Sequence, residues 1–91
     1  MKLKYTFVLQ RVGKDTIAAA VGEDAGAYPS VIRLNATGAR IFALAMEGMD
    51  KEEIARALAR EYGISEKEAL EAADRFEERM RQAGILEEED G

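Results

Sequence analysis

Cysteine, histidine and tryptophan are all absent from this chain of 91 residues. Without cysteine or histidine there is no disulfide, thiolate nucleophile, imidazole base or ordinary zinc or iron–sulfur site. Carboxylates remain as catalytic candidates, but the pairs Glu52–Glu53 and Glu77–Glu78 fall on polar helix faces without an evident pocket. We therefore predict a protein that is not an enzyme and that has no catalytic residue, metal or cofactor of its own.

Proline is also scarce, with Pro29 alone, and no apolar run is long enough for a signal peptide or a membrane span. Hydrophobic residues make up 47% and charged residues 34%, which is typical of a soluble folded domain. A chain of this length has room for one core. We expect a single domain over residues 1–86, a disordered acidic tail over residues 87–91, and a cytoplasmic location.

A surplus of positive charge is missing as well, because the formal net charge is -5. Four of the 18 acidic residues lie in the tail, at positions 87–90, so the remainder carries 13 basic and 14 acidic residues and a net charge of -1. Proteins that hold a nucleic-acid backbone rely on lysine and arginine for most of their affinity. The charge therefore argues against nucleic-acid binding.

The first third of the chain has the period of two that is typical of β-strands. Residues 5–12 and 16–21 form two such stretches around a turn at Gly13, which predicts a hairpin. Residues 22–29 contain two glycines and the proline and are predicted to form a loop before a short third strand, Val31–Leu34. In the second strand the residues sharing one face are Ile17, Ala19 and Val21.

Three helices are predicted after the third strand, each with an N-terminal capping residue and a glycine beyond its end. The first is apolar nearly all round and should lie at the centre of the domain. A three-stranded sheet needs a helical layer to be stable, so we predict an α+β domain of winged-helix type, with a three-stranded antiparallel sheet followed by three helices. The predicted helices span residues 36–47, 51–62 and 66–83, after Asn35, Asp50 and Ser65.

Three stretches resemble the PqqD family, the peptide chaperones of pyrroloquinoline quinone biosynthesis and the related recognition elements for ribosomally made, modified peptides. The most specific is residues 31–42, Val-Ile-Arg-Leu-Asn-Ala-Thr-Gly-Ala-Arg-Ile-Phe, which has the family's Leu-Asn, Thr-Gly and aliphatic–aromatic signature. Residues 49–65 and 76–86 resemble the middle and closing segments. The sequence departs from the pattern at Phe42, where the family often has tryptophan.

The resemblance implies a non-catalytic chaperone that captures the leader of a precursor peptide by β-strand addition and presents it to a modifying enzyme, a radical S-adenosylmethionine protein. The leader would lie along the third strand, in the groove beside the third helix. Alternation should place Ile32 and Leu34 in the core and direct Val31 and Arg33 outward. The expected peptide-binding residues are Val31, Ile32, Arg33, Leu34, Ala72, Arg75 and Arg79.

Other interpretations remain open. The domain could bind nucleic acid through its third helix, although residues 65–83 carry four positive and six negative charges. It could also be a scaffold, monomer or homodimer, that pairs through the edge of its third strand. Arg33 could merely protect that edge against aggregation. Arg75 and Arg79 could pair along the helix with the acidic residues Glu71, Asp74 and Glu78.

Overall fold

The chain forms a three-stranded antiparallel sheet and a helical layer in the computed structural model, which describes residues 1–87. The predicted winged-helix-like α+β class, with a sheet followed by helices, is confirmed. Of the predicted acidic tail, residues 88–91 lie outside the described part of the chain. The elements are β1 Phe7–Val12, β2 Asp15–Ala20, α1 Asp24–Ala27, β3 Val31–Leu34, α2 Ala36–Met46, α3 Lys51–Tyr62 and α4 Glu66–Gln82.

The predicted hairpin joins β1 to β2 through a two-residue turn. Gly13 is the first turn residue and has a φ of 64°, the conformation for which a type II′ turn requires glycine. The hairpin register places Phe7 opposite Ala20, and β2 pairs on its other side with β3. The sheet order is β1-β2-β3, so β1 and β3 are its two edges.

The prediction of a loop over residues 22–29 was wrong for the four residues that form the single-turn helix α1. The Asp24 carboxylate accepts the backbone N–H of Thr6 at 2.8 Å, and the Asp24 carbonyl accepts that of Tyr28 at 2.9 Å. The Tyr28 ring stacks on Tyr5, with 5.7 Å between ring centroids. The contacts with Tyr5 and Thr6, which directly precede β1, stabilise a turn that the glycine-rich sequence does not favour by itself.

Helix α2 lies at the centre of the domain, as predicted. The Phe42 side chain is 0% exposed and makes edge-to-face contacts with Phe7 of β1 and Phe76 of α4. The ring centroids are 5.2 Å and 6.1 Å apart, distances at which aromatic pairs add stability beyond the burial of their area. Phe42 therefore connects the sheet to the last helix.

The core face of β2 is made of small side chains. Ala18 and Ala20 are buried, whereas Ile17 lies on the opposite face and is half-buried. Alanine takes little space above the sheet, so the larger side chains of α2 can fill the core against it. Period-two alternation alone does not indicate which of the two faces meets the helices.

All three predicted capping residues accept a hydrogen bond from the first turn of their helix. The Asn35 side chain accepts the N–H of Gly38 at 2.8 Å, and Ser65 accepts that of Glu68 at 3.1 Å. Asp50 forms a reciprocal capping box with the third residue of α3. Asn35 also ends β3, so its hydrogen bond sets the point at which the edge strand turns into α2.

We expect Asn35→Ala to lower the free energy of unfolding by about 1 kcal/mol, because Gly38 loses its hydrogen-bond acceptor. For a domain of this size the midpoint of thermal unfolding should fall by about 4–8 °C, as measured by circular dichroism. Asn35→Ser is the matched control, since serine is an equally good N-cap. An equal loss in both variants would show that the capping bond is not the cause.

Candidate peptide-binding edge between strand β3 and helix α4

The register of the hairpin determines which backbone groups of β2 face each neighbouring strand. The carbonyl of Thr6 accepts the N–H of Val21 at 2.9 Å, so the groups of Val21 are directed toward the β1 side. Hydrogen-bonded and non-hydrogen-bonded pairs alternate in antiparallel sheets. The groups of Ile17 and Ala19 therefore point to β1, and those of Thr16 and Ala18 point to β3.

At β3, Thr16 lies opposite Leu34 and Ala18 lies opposite Ile32. The backbone groups of Ile32 and Leu34 consequently bond within the sheet. Those of Val31 and Arg33 point to the outer side, where no further strand pairs with β3 among residues 1–87. Two of the four predicted edge residues thus offer main-chain donors and acceptors outward.

The side chains of β3 alternate as predicted. Ile32 and Leu34 are buried in the core, whereas Val31 is 59% exposed and Arg33 is exposed. The buried pair holds the strand against the helical layer by its hydrophobic contacts. An incoming strand would therefore meet a backbone that is anchored from one face.

Arg79 of α4 reaches the outer side of β3. Its Nη2 donates a hydrogen bond of 2.7 Å to the carbonyl of Arg33, one of the outward acceptors. A bond from a charged donor is stronger than a neutral one, so it fixes α4 beside the strand. A carbonyl oxygen has two lone pairs, so this bond does not close the acceptor to a second donor.

A cavity of about 360 Å³ opens between the start of α2 and α4. It contains all three predicted helix residues together with Phe76 and the bare backbone at Gly38. A Cβ on Gly38 would lie 3.1 Å from Asn35 Oδ1, so glycine at this position leaves room for the capping side chain. The lining residues are Asn35, Thr37, Gly38, Ile41, Ala72, Arg75, Phe76 and Arg79.

Five of these lining residues were not predicted from the sequence as parts of a site: Asn35, Thr37, Gly38, Ile41 and Phe76. Asn35 was predicted only as a helix cap, and Thr37, Gly38 and Ile41 only as parts of the central helix. The available signal was that Thr37 and Gly38 directly follow the edge strand and its cap. A residue at the start of a helix that leaves an edge strand lies beside that edge.

Two acidic side chains of α4 that neighbour the groove arginines in sequence, Asp74 and Glu78, have partners elsewhere. Asp74 accepts a contact of 2.8 Å from Lys51 of α3, and this hydrogen bond raises the pKa of Lys51. Glu78 lies 2.9 Å from Arg81, and this hydrogen bond raises the pKa of Arg81. Two of the acidic residues that could have neutralised the cations of the groove therefore bind other partners.

Arg75 and Arg79 form no salt bridge within residues 1–87, so the alternative of pairing along α4 is not what the structure shows. Arg33 approaches Asp15 across the other face of the sheet, at 3.9 Å and largely exposed to solvent, which contributes little. The groove beside β3 thus carries positive charge that an acidic ligand can neutralise.

Other kinds of site find no support in the described range. Residues 1–87 contain no group of three acidic side chains arranged to hold a metal ion. Within the same range, no helix combines the length and apolar character that a membrane crossing requires.

The family model of coenzyme PQQ synthesis protein D (PqqD) matches residues 25–86. The chain belongs to the PqqD family. The match contains β3, α2 and α4, and therefore every residue of the candidate site. It also begins before residue 31, where the resemblance in the sequence starts.

The solved structure of TbiB1 in complex with the TbiA(beta) leader peptide has the same fold as this PqqD-family chain. The two superpose with a TM-score of 0.75 at 22% sequence identity, and the match covers 100% of each chain. A comparison with curated proteins finds no match. The whole length of the chain, hairpin included, therefore corresponds to a known fold.

Proposed function

We propose that this PqqD-family protein is a non-catalytic chaperone that binds the leader of a precursor peptide and presents it to a modifying enzyme. The observation that carries the proposal is the outward-facing backbone of Val31 and Arg33 beside the α4 cavity. Family membership and the fold shared with TbiB1, which was solved with a leader peptide, support it.

The leader would add to the sheet as a fourth strand next to β3. Main-chain hydrogen bonds to Val31 and Arg33 give affinity with little demand on sequence, whereas the side chains of an added strand point alternately to the two sheet faces. Those on the helical side would enter the cavity beside Ala72 and Phe76. The leader side chains on the helical side would therefore determine which peptides bind.

The charge of the groove indicates the class of peptide. Arg75 and Arg79 line the cavity and have no acidic partner among residues 1–87, so carboxylates at helix-facing positions of the leader would gain charge-assisted hydrogen bonds. We propose an acidic leader, a radical S-adenosylmethionine enzyme as the recipient, and the cytoplasm as the location. The iron–sulfur chemistry would belong to that enzyme.

Nuclear magnetic resonance tests the proposal directly. A candidate leader, taken from a short open reading frame beside the gene for this chain, is titrated into ¹⁵N-labelled protein. We expect the amide signals of Val31–Leu34 and of α4 to shift together. Shifts confined to α3, or tight DNA binding at physiological salt without any response to leaders, would contradict the proposal.

The groove arginines should make binding of an acidic leader depend on salt. Because Arg75 and Arg79 are exposed, added salt screens their attraction to carboxylates. The double variant Arg75→Gln/Arg79→Gln should bind about tenfold more weakly at low salt and lose most of the salt dependence, as measured by calorimetry. Arg56→Gln/Arg60→Gln, two exposed arginines of α3, is the matched control and should bind like the unaltered protein.

A further inference from the structure

The second edge of the sheet, β1, is longer than the candidate peptide-binding edge. β1 has six residues against four in β3, and no strand pairs with its outer side among the residues that the structure describes. The backbone carbonyl of Thr6 accepts a hydrogen bond from Val21, which directly follows β2. Because hydrogen-bonded residues alternate along the strand, the backbone N–H and C=O groups of Phe7, Leu9 and Arg11 point outward. No lysine or proline interrupts β1, although these are common guards of exposed edges.

A groove runs between α2 and the chain from Met1 to Leu9, which includes the first half of β1. Its lining is mainly apolar, with the charged residues Lys2, Arg40, Glu47 and Asp50 among it. It comprises two adjoining cavities of about 500 Å³ and 580 Å³, which share Phe7 and Met46. Val8 on the edge strand is 49% exposed and Met46 on the helix is 43% exposed. Leu9 lines the groove and is half-buried. Like β3, this edge strand therefore has an outward backbone beside a groove, but here the groove is mainly apolar.

Two exposed residues of opposite charge lie near the two ends of β1. Arg11 is exposed near the end of β1, and Glu47 is exposed beside Phe7 at the other end. Neither forms a salt bridge within residues 1–87. The nearby Arg40 is already hydrogen-bonded to both carboxylate oxygens of Glu61. Glu47 also attracts Arg40 and helps to raise its pKa, but it forms no salt bridge in the described range, so its carboxylate can accept hydrogen bonds from a second cation.

We propose that β1 is the homodimer interface of this protein, formed by antiparallel pairing of β1 with the same strand of a second copy. A two-fold axis at Leu9 places Leu9 opposite the partner's Leu9 and Phe7 opposite the partner's Arg11, so the outward groups of all three residues are paired. Phe7, Leu9 and Arg11 share the helix-facing side of β1, since they lie opposite Ala20, Ala18 and Thr16.

The charges of Arg11 and Glu47 favour a second copy of this chain as the partner that binds at β1. Because Arg11 comes to lie opposite the partner's Phe7, its side chain reaches the end of the groove that Met46 and Glu47 form. Its aliphatic part covers the exposed Met46 and its guanidinium pairs with Glu47. The two-fold axis repeats this pair. A single strand register therefore pairs Arg11 of each copy with Glu47 of the other and covers the groove of both copies.

The dimer leaves the β3 edges open. β1 and β3 are opposite edges, so pairing through β1 makes a continuous six-stranded sheet with β3 at each end. Each copy keeps its cavity beside α4. The inference goes beyond leader binding and is independent of it, because one concerns β1 and the other β3.

Sedimentation equilibrium of the full chain, from micromolar to millimolar concentration, tests the interface. We expect a reversible monomer–dimer equilibrium that Arg11→Glu weakens by about tenfold, because each copy then places two acidic side chains together. The swap Arg11→Glu/Glu47→Arg should restore the dimer to within about threefold. Arg56→Glu, the same reversal at an exposed position of α3, is the control and should leave the equilibrium unchanged.

Hydrogen exchange of backbone amides provides a second measurement that does not depend on variants. With rising concentration, the amides of Phe7, Leu9 and Arg11 should become protected while those of Val31 and Arg33 stay exchangeable. A monomer throughout the range, a dimer that ignores the charge reversal and the swap, or protection at β3 instead of β1 would each overturn the proposal.

Discussion

Arg33→Pro is expected to weaken leader binding by at least about tenfold while the domain remains folded. Proline has no N–H, and at position 33 that group points to the outer side of β3. One lost hydrogen bond costs about 1 kcal/mol, and the proline ring also occupies the space next to the incoming backbone. Since about 1.4 kcal/mol is a tenfold change in affinity, the two effects together reach that size.

The matched control for this prediction is Arg33→Ala. It removes the guanidinium and its contact with Asp15, as proline does, but it keeps the backbone N–H. Binding to the alanine variant should change by less than about threefold, because the Arg33 side chain lies on the face away from α4. Calorimetry with the same leader compares the two, and circular dichroism verifies folding. Equal losses in both variants would mean that the side chain matters and that strand addition is not the mode of binding.

Phe42→Ala should have the largest effect on stability, about 3–5 kcal/mol, because Phe42 is fully buried and its removal leaves a cavity. A domain of this size has only about 5–15 kcal/mol of stability in total. The midpoint of thermal unfolding should fall by more than about 10 °C. Tyr62→Ala, at an aromatic residue 49% exposed on α3, should stay within about 0.5 kcal/mol of the unaltered protein.

Phe42→Ala also tests whether the core maintains the distance between α4 and β3 that defines the groove. Phe42 touches Phe7 of the sheet and Phe76 of α4, and Phe76 lines the cavity. Without Phe42, α4 loses its fixed distance from β3, so leader binding should fall even at temperatures where the variant is folded. Unchanged affinity in folded Phe42→Ala protein would show that the core does not set the groove geometry. The family's tryptophan at this position should fit only with adjustment around it, since Phe42 has no exposed surface.

Much of the fold could be predicted because its signals are local. Helix caps act between residues three positions apart, as Asn35 does with Gly38, and strand alternation repeats every second residue. The turn of α1 was missed because it depends on Thr6 and Tyr5, which lie far from it in sequence. The core face of β2 was likewise not decided by alternation, since both faces carry apolar residues.

The candidate site likewise has parts that local sequence patterns predict and parts that depend on contacts between distant residues. The edge strand Val31–Leu34, the alternation of its side chains and the cluster of Ala72, Arg75 and Arg79 on one helix face could be inferred from the order of residues. Their binding roles stay predictions. The hydrogen bond from Arg79 to Arg33 joins residues 46 positions apart, and no local pattern encodes it.

The sequence by itself determined the helices, the edge strand and the PqqD-family signature, because caps, periodicity and motif spacing act over a few residues. Only the tertiary structure decided which backbone groups of the edge strands face outward and that Asp74 pairs with Lys51 of α3. It also decided that β1 is a second edge beside a mainly apolar groove. These properties follow from strand register and helix packing. Both are set by contacts between distant segments, whose energies depend on the whole folded core.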